Sequence, residues 1–350
     1  LRIAAALGVR AWDTLEKMRD VLKNGRKSPF VKEVELLFKR IKWIFEYAPI
    51  LRGFLVSDDV EIPLELRGFE LPAFGAATIE DYAKQAAKEL ATWVSRLRKV
   101  TGGDRDKLPF LAAYKRGIDP HLLTGLAMLI RNAQFDAQGK SALEYLSSVS
   151  HSEQSRLKKE LKQARQMAKA VNFGSIYGQS AKGLHAYGII GYGVSWSVEE
   201  AQIAQDEWFN LYPEIGLWHW ILKRCYVHKN QPILNPYRTI ETDEKGKIFQ
   251  WSTLSGRPVL SAKFTSATNY EDQGTGAEIA LLAISSLPLD VQDMLINFVH
   301  DELVLEVPES RLNEVVPVVE KTMLEAADRF LLPWGVPTEV EAQIGDAWEH

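Results

Sequence analysis

Arg165, Lys169, Phe173 and Tyr177 recur at every fourth position, so a helix through them carries two cations and then two aromatic rings along one face. The apolar pattern predicts that helix from Ser152 to Asn172, ending where Phe173-Gly174 and Tyr177-Gly178 free the backbone. Cations on a helix face usually meet only water. Here the glycines let a ligand come close to the chain. Cations one turn apart suit a polyphosphate, Arg through its fork of donors and Lys as a point charge, while the rings suit a base or a sugar. This face reads as a nucleotide site.

A second signal is His300-Asp301-Glu302, set between the apolar runs Ile296-Asn297-Phe298-Val299 and Leu303-Val304-Leu305. Two strands joined by a tight polar turn would hold both carboxylates at a hairpin tip, where Mg²⁺ could take oxygen ligands and keep its waters. An acidic turn is more often simply solvated, but two apolar strands closing directly on three ionisable residues is a rarer arrangement.

The rest of the chain narrows the options. Its 350 residues are enough for two or three domains of ordinary size. Cys225 is the only cysteine, which removes internal disulfides and thiolate metal clusters, so a metal must sit on carboxylates or histidines. The apolar stretches are too short to span a bilayer, so no membrane partner is expected. A net charge of −4 gives no global pull toward nucleic acid, although a groove needs only a local excess of bases.

Two amphipathic helices are expected between Ala11 and Tyr47, with the turn at Asn24, Gly25 and Pro29. Residues 17–52 hold ten Lys or Arg against four Asp or Glu, and residues 56–74 turn acidic. Another helix, Thr78 to Val100, starts at a Thr78 cap and ends at Thr101-Gly102-Gly103-Asp104. Beyond Pro109 the pattern predicts helices at Phe110–Arg116, from about His121 to Arg131, after a Ser197 cap with Glu200, and near Trp218–Tyr226. Short strands are expected around Ile240 and Phe249 and at Leu303–Val307. The layout is mixed α and β.

With both signals in hand, the chain resembles the C-terminal part of a family A DNA polymerase, the bacterial polymerase I and phage replicase type. The family's RxxxKxxxFGxxYG motif stands here from Arg165 through Lys169, Phe173-Gly174 and Tyr177-Gly178, and its palm motif HDE stands as His300-Asp301-Glu302. Gly117-Ile118-Asp119-Pro120-His121 resembles a GxDxH stretch. Asn269 to Glu278 resembles the NxxxQGTxAD helix start, with Glu278 in place of the usual Asp. Gly345-Asp346-Ala347-Trp348 resembles the family's end. Leu1 to Gly8 is similar to the tail of the first palm motif, DxSxxELR, with Arg2 as its arginine and its acidic residues before Leu1.

The resemblance implies an α+β fold: an antiparallel palm with helices, mainly helical fingers and a helical insertion. Its domains would be 1–8 (end of the first palm motif), 9–107 (insertion of unknown role), 108–265 (fingers) and 266–350 (palm). It implies template-directed DNA synthesis with two Mg²⁺ ions, for which Mn²⁺ could substitute. Asp301 would hold metal and Glu302 would stand beside it. His121, Arg165, Lys169, Phe173 and Tyr177 would bind the deoxynucleoside triphosphate, with Lys169 the proton donor. Arg2, Arg257, Asn269, Gln273 and His300 would touch primer-template DNA. Phe173, lacking a phenol hydroxyl, implies discrimination against dideoxynucleotides. Asp301 and Lys169 are expected to face one common cleft. Because the first metal-binding aspartate is not in the chain, an upstream polymerase fragment with the thumb and first palm motif is the expected partner, in the cytoplasm of a bacterium or phage-infected cell. Two rivals remain, a single-subunit RNA polymerase and a non-catalytic DNA-binding or assembly module. Glu302, Phe173 and Gln273-Gly274-Thr275 favour DNA over RNA synthesis.

Overall fold

The computed structural model describes residues 1–24, 29, 91–223, 226–228, 247–261, 263–299 and 301–348. Two expectations, the Thr78 cap and the strand near Ile240, lie outside those residues, as does the second helix of the 11–47 pair.

Helix α1, described over Arg2–Asn24, runs unbroken through residue 8. Ala4, Ala5, Leu7, Val9, Ala11, Trp12 and Leu15 all face the interior, so the boundary expected after Gly8 falls within one continuous buried helix face. Residues 91–101 are helical and end at Gly102 and Gly103 as expected.

Helices α2 (Pro109–Lys115) and α3 (Pro120–Arg131) each begin with Pro at the first helical position, where a missing N–H costs nothing. Next come α4 (Ala142–Ser148), α5 (His151–Glu160) and α6 (Lys162–Ile176). The single helix expected from Ser152 to Asn172 is therefore two, parted at Leu161 with φ −94° and ψ 30°. Neither Pro nor Gly marks that break. The constraint is tertiary: α6 lies tightly on α3, where a Cβ on Gly125 would meet the Ala164 carbonyl oxygen at 2.9 Å.

Helix α7 (Ala181–Tyr192) went unpredicted; α8 (Val198–Leu211) starts with the expected Ser197–Glu200 capping box. The tryptophan-rich helix is α9, Pro213–Leu222, which begins and ends earlier than expected, and Tyr226 belongs to strand β1 (Tyr226–His228). β1 pairs antiparallel with β2 (Lys247–Ser252), and β2 with β3 (Pro258–Ser261). Helix α10 (Phe264–Ser286) crosses β2 and β3 and touches α1. Asn269 to Glu278 therefore lies inside a helix that has already begun at Phe264, rather than at a helix start.

Strands β4 (Leu295–Val299) and β5 (Glu302–Leu305) pair antiparallel as expected, but Glu302 already pairs with Val299 inside β5, so it is not at the tip beside Asp301, and the strand ends at Leu305 rather than Val307. Helix α11 (Leu312–Leu331) packs on α10. The architecture is α+β, mainly helical with small antiparallel sheets. Its large core joins α1 with α2, α3, α6, α8 and α9 around Trp208, Tyr212 and Trp218. A much smaller core of Leu287, Val291 and Val315 supports the β4–β5 hairpin. No helix of the described residues is long and apolar enough to cross a membrane.

Candidate active site

The α3–α6 contact builds the first half of the site. Asp119 caps α3, accepting from the His121 amide at 2.8 Å and the Leu122 amide at 3.2 Å. The same carboxylate receives Arg165 Nε at 3.0 Å and Nη2 at 2.9 Å, so one side chain starts a helix and holds a cation of α6. Burial alone would raise the Asp119 carboxyl, but Arg165 and the two amides outweigh it and keep it below the usual range. Lys158 of α5 stands 3.9 Å from the same oxygen.

His121 is fixed from behind. Asn172 Oδ1 accepts from Thr124 Oγ1 at 2.8 Å and from Trp208 Nε1 at 2.6 Å, which identifies Oδ1 and leaves Nδ2 to face His121 Nδ1 at 2.8 Å. Nδ2 can only donate, so Nδ1 accepts and the imidazole proton sits on Nε2. Burial first, with help from Arg165 and Lys169, pushes the imidazole down to about 4, although Asp119 opposes the shift. At neutral pH His121 is thus a neutral donor beside the cations Arg165 and Lys169.

Phe173 lies between two rings, its centroid 5.6 Å from His121 and 6.5 Å from Tyr177. Lys169 is half-buried and has no hydrogen-bond or ion-pair partner among the described residues. The end of α6 is tied on two sides. His219 Nε2 donates to the Ile176 carbonyl at 2.8 Å, and Thr268 Oγ1 donates to the Tyr177 carbonyl at 3.1 Å. Gly178 then turns with φ +67°, where a Cβ would strike the Phe264 ring at 2.5 Å.

Helix α10 supplies the rest of this half. The Tyr177 hydroxyl donates to Asp272 Oδ2 at 3.1 Å and accepts from Gln273 Nε2 at 2.7 Å. Glu271 is buried, ion-paired to Arg10 and bonded by Trp218 Nε1 at 2.9 Å. Glu278 reaches Ser255 Oγ at 2.7 Å and Arg257 Nε at 2.8 Å, so the longer carboxylate is used to hold the β2–β3 loop. Arg2 pairs with Glu339 at 2.8 Å and lies over the Tyr114 ring, and Asn269 is half-buried on α10.

The second half is the hairpin. Asp301 is exposed in the turn and unpaired among the described residues, while Glu302 accepts from Trp348 Nε1 at 3.4 Å. His300 lies outside the described residues. Among the described residues no group of three or more His, Cys, Asp or Glu is arranged to hold a metal ion. No hydrogen bond or ion pair joins Asp301 to Lys169 among the described residues. Sequence reasoning passed over Asp119 as the Arg165 anchor, and also Thr124, Asn172, Trp208, Glu271 and Asp272. Asp119, Asn172, Glu271 and Asp272 sit inside the quoted motifs, and that is their only signal.

Residues 147–350 match DNA polymerase family A, and the chain belongs to that family. It is 31% identical over 342 residues to DNA polymerase I of Aquifex aeolicus, covering 96% of this chain and 48% of that protein. It is 32% identical over 199 residues to the thermostable DNA polymerase I of Thermus thermophilus, covering 53% of this chain and 20% of that protein. The chain thus spans about half the length of the Aquifex relative or less of the others. A solved structure titled as the POL domain of Pol1 from M. smegmatis in complex with DNA primer-template and dNTP aligns at TM-score 0.40 and 16% identity, over 91% of this chain and 63% of that one.

Proposed function

We propose that this chain performs template-directed DNA synthesis, adding deoxynucleotides to a primer 3′-hydroxyl, as the fingers-and-palm part of a polymerase. The observation that carries the reading is one ordered surface along α6: Arg165 anchored by Asp119, Lys169 unpaired among the described residues, neutral His121 with its Nε2–H to give, and the Phe173 and Tyr177 rings. Arg165 and Lys169 would meet the triphosphate as cations. His121 would donate a hydrogen bond to it without adding charge. The rings would pack on the sugar and near the templating base. Lys169 would give a proton from Nζ to the departing pyrophosphate, since an ammonium can release one where a guanidinium cannot.

Mg²⁺ needs only one or two carboxylates beside phosphates and waters. Asp301, exposed and unpaired among the described residues, fits one such ligand; Glu302 is partly engaged by Trp348. Bound cations would stabilise charge on the reacting phosphoryl oxygens. The second metal-binding carboxylate would come from a segment carrying DxSxxELR. Arg257, Asn269, Gln273, Arg2 and His300 remain candidates for the primer-template contact.

The test is primer extension with Mg²⁺ and four deoxynucleotides, with and without a polypeptide carrying the DxSxxELR segment. Extension only in the mixture is expected, and Phe173→Tyr in that mixture should accept dideoxynucleotides more readily. Extension by the chain alone would mean that another carboxylate, such as Asp58 or Asp59, completes the site. A second reading, a non-catalytic DNA-binding or assembly module, draws on the lack of a metal-holding cluster among the described residues. DNA binding with no extension in either arm would establish it.

A further inference from the structure

We infer that Asp272 is a positioning residue for nucleotide selection, acting through Tyr177; the nucleotide part of this inference rests on the function proposed above. Asp272 is 4% exposed on α10, and its carboxylate receives the Tyr177 hydroxyl at 3.1 Å across the gap between α10 and α6. The neighbouring Gln273 donates to the same hydroxyl at 2.7 Å. The phenol's proton and a lone pair are thus both taken by consecutive residues of one helix, which fixes the ring in direction as well as position.

The helix that makes this grip cannot easily drift. Next to Asp272, Glu271 is ion-paired to Arg10 of α1 and bonded by Trp218 of α9, so the backbone under Asp272 is clamped to two further helices. Thr268, one turn earlier, holds the Tyr177 carbonyl at 3.1 Å. Asp272 Oδ1 is buried with no hydrogen-bond partner among the described residues, a costly arrangement for a side chain that does nothing but fill space. Through Tyr177 the grip also sets Phe173, whose ring lies nearly parallel to it at 19°. Asp272 touches neither reacting atom nor nucleotide. Its effect is to hold the two rings in one pose.

The test pairs a structural readout with a kinetic one on the full chain. Hydrogen exchange over residues 173–179 reports the amides of Tyr177, Gly178 and Gln179, which bond back to Phe173, Ser175 and Gly174. Asp272→Val should speed that exchange about fivefold, the size of one net hydrogen bond. Tyr177→Phe should do the same and the double variant no more, whereas Asp272→Asn, whose Oδ1 still accepts, should stay near wild type. In the reconstituted extension assay Asp272→Val should raise KM for the nucleotide about fivefold with kcat changed less. Unchanged exchange in Asp272→Val, or effects that multiply in the double variant, would overturn the grip. Normal KM with altered exchange would remove its bearing on the nucleotide. Absence of extension by the wild-type mixture would instead strike the proposed function and leave the exchange result standing.

Discussion

The two halves of the site are held very differently. Around α3 and α6 three side chains of the site have partners behind them: Asp119 holds Arg165, Asn172 holds His121, and Thr124 and Trp208 hold Asn172. At the hairpin the strand faces are open, with Ile296 62% exposed, and Asp301 has no described partner. A buried, fully bonded network fixes geometry before a ligand arrives, whereas an exposed carboxylate keeps its charge in water and acquires geometry only from what binds it. The α3–α6 half is therefore sensitive to substitution in its folding, and the hairpin half in its chemistry.

The largest effect should fall on the hairpin. Asp301→Ala in the reconstituted enzyme is expected to cut extension on the order of a thousandfold, roughly 4 kcal/mol of transition-state stabilisation, with less than about 0.5 kcal/mol lost from folding. Retained extension would remove Asp301 from the metal site, and a large stability loss would erase the contrast between the halves.

Next comes the pH response of the large core. Glu214 is fully buried against α1, receiving the Phe110 amide at 2.9 Å with Oε2 unpaired among the described residues. Burial pushes its carboxyl up from 4.5 to about 7, so its neutral form is favoured in the folded state. The associated stability is fully present below pH 4.5 and is lost as pH rises toward 7, a difference of about 3 kcal/mol. Denaturant titrations at pH 5 and pH 8 should show that loss relative to Glu214→Gln, whose own change lacks this component. Parallel curves for the two proteins would mean that Glu214 is solvated.

A comparable loss is expected for Asn172→Leu, which strands Trp208 Nε1 and His121 Nδ1 and leaves Thr124 only its Tyr212 bond: about 2–3 kcal/mol by thermal or denaturant unfolding. A loss below about 1 kcal/mol would show that the network is not what orders the site. The smallest effect belongs to Asp119→Asn, which keeps the helix cap and weakens only the grip on Arg165, for about 1 kcal/mol of stability. Because the carboxylate also competes for that guanidinium, tighter nucleotide binding by this variant would mark Asp119 as a brake, and looser binding as a guide.

Local signals were read well wherever a few consecutive residues settle the outcome. The Ser197–Glu200 capping box depends on neighbours in sequence, as does the Pro start of α3 after Asp119. The break at Leu161 has neither Pro nor Gly to mark it, and the expected end of α9 falls too late because Tyr226 joins a strand whose partner, Phe249, is distant in sequence.

For the site the division is the same. The sequence alone determined which side chains share the α6 face and that Asp301 stands at a hairpin tip, because helical and strand periodicities are properties of the backbone. Only tertiary packing decided that His121 is neutral, that Arg165 is anchored and that Tyr177 is gripped by Asp272. Protonation and hydrogen bonding depend on burial and on partners 46 to 95 residues away, and no local pattern encodes either.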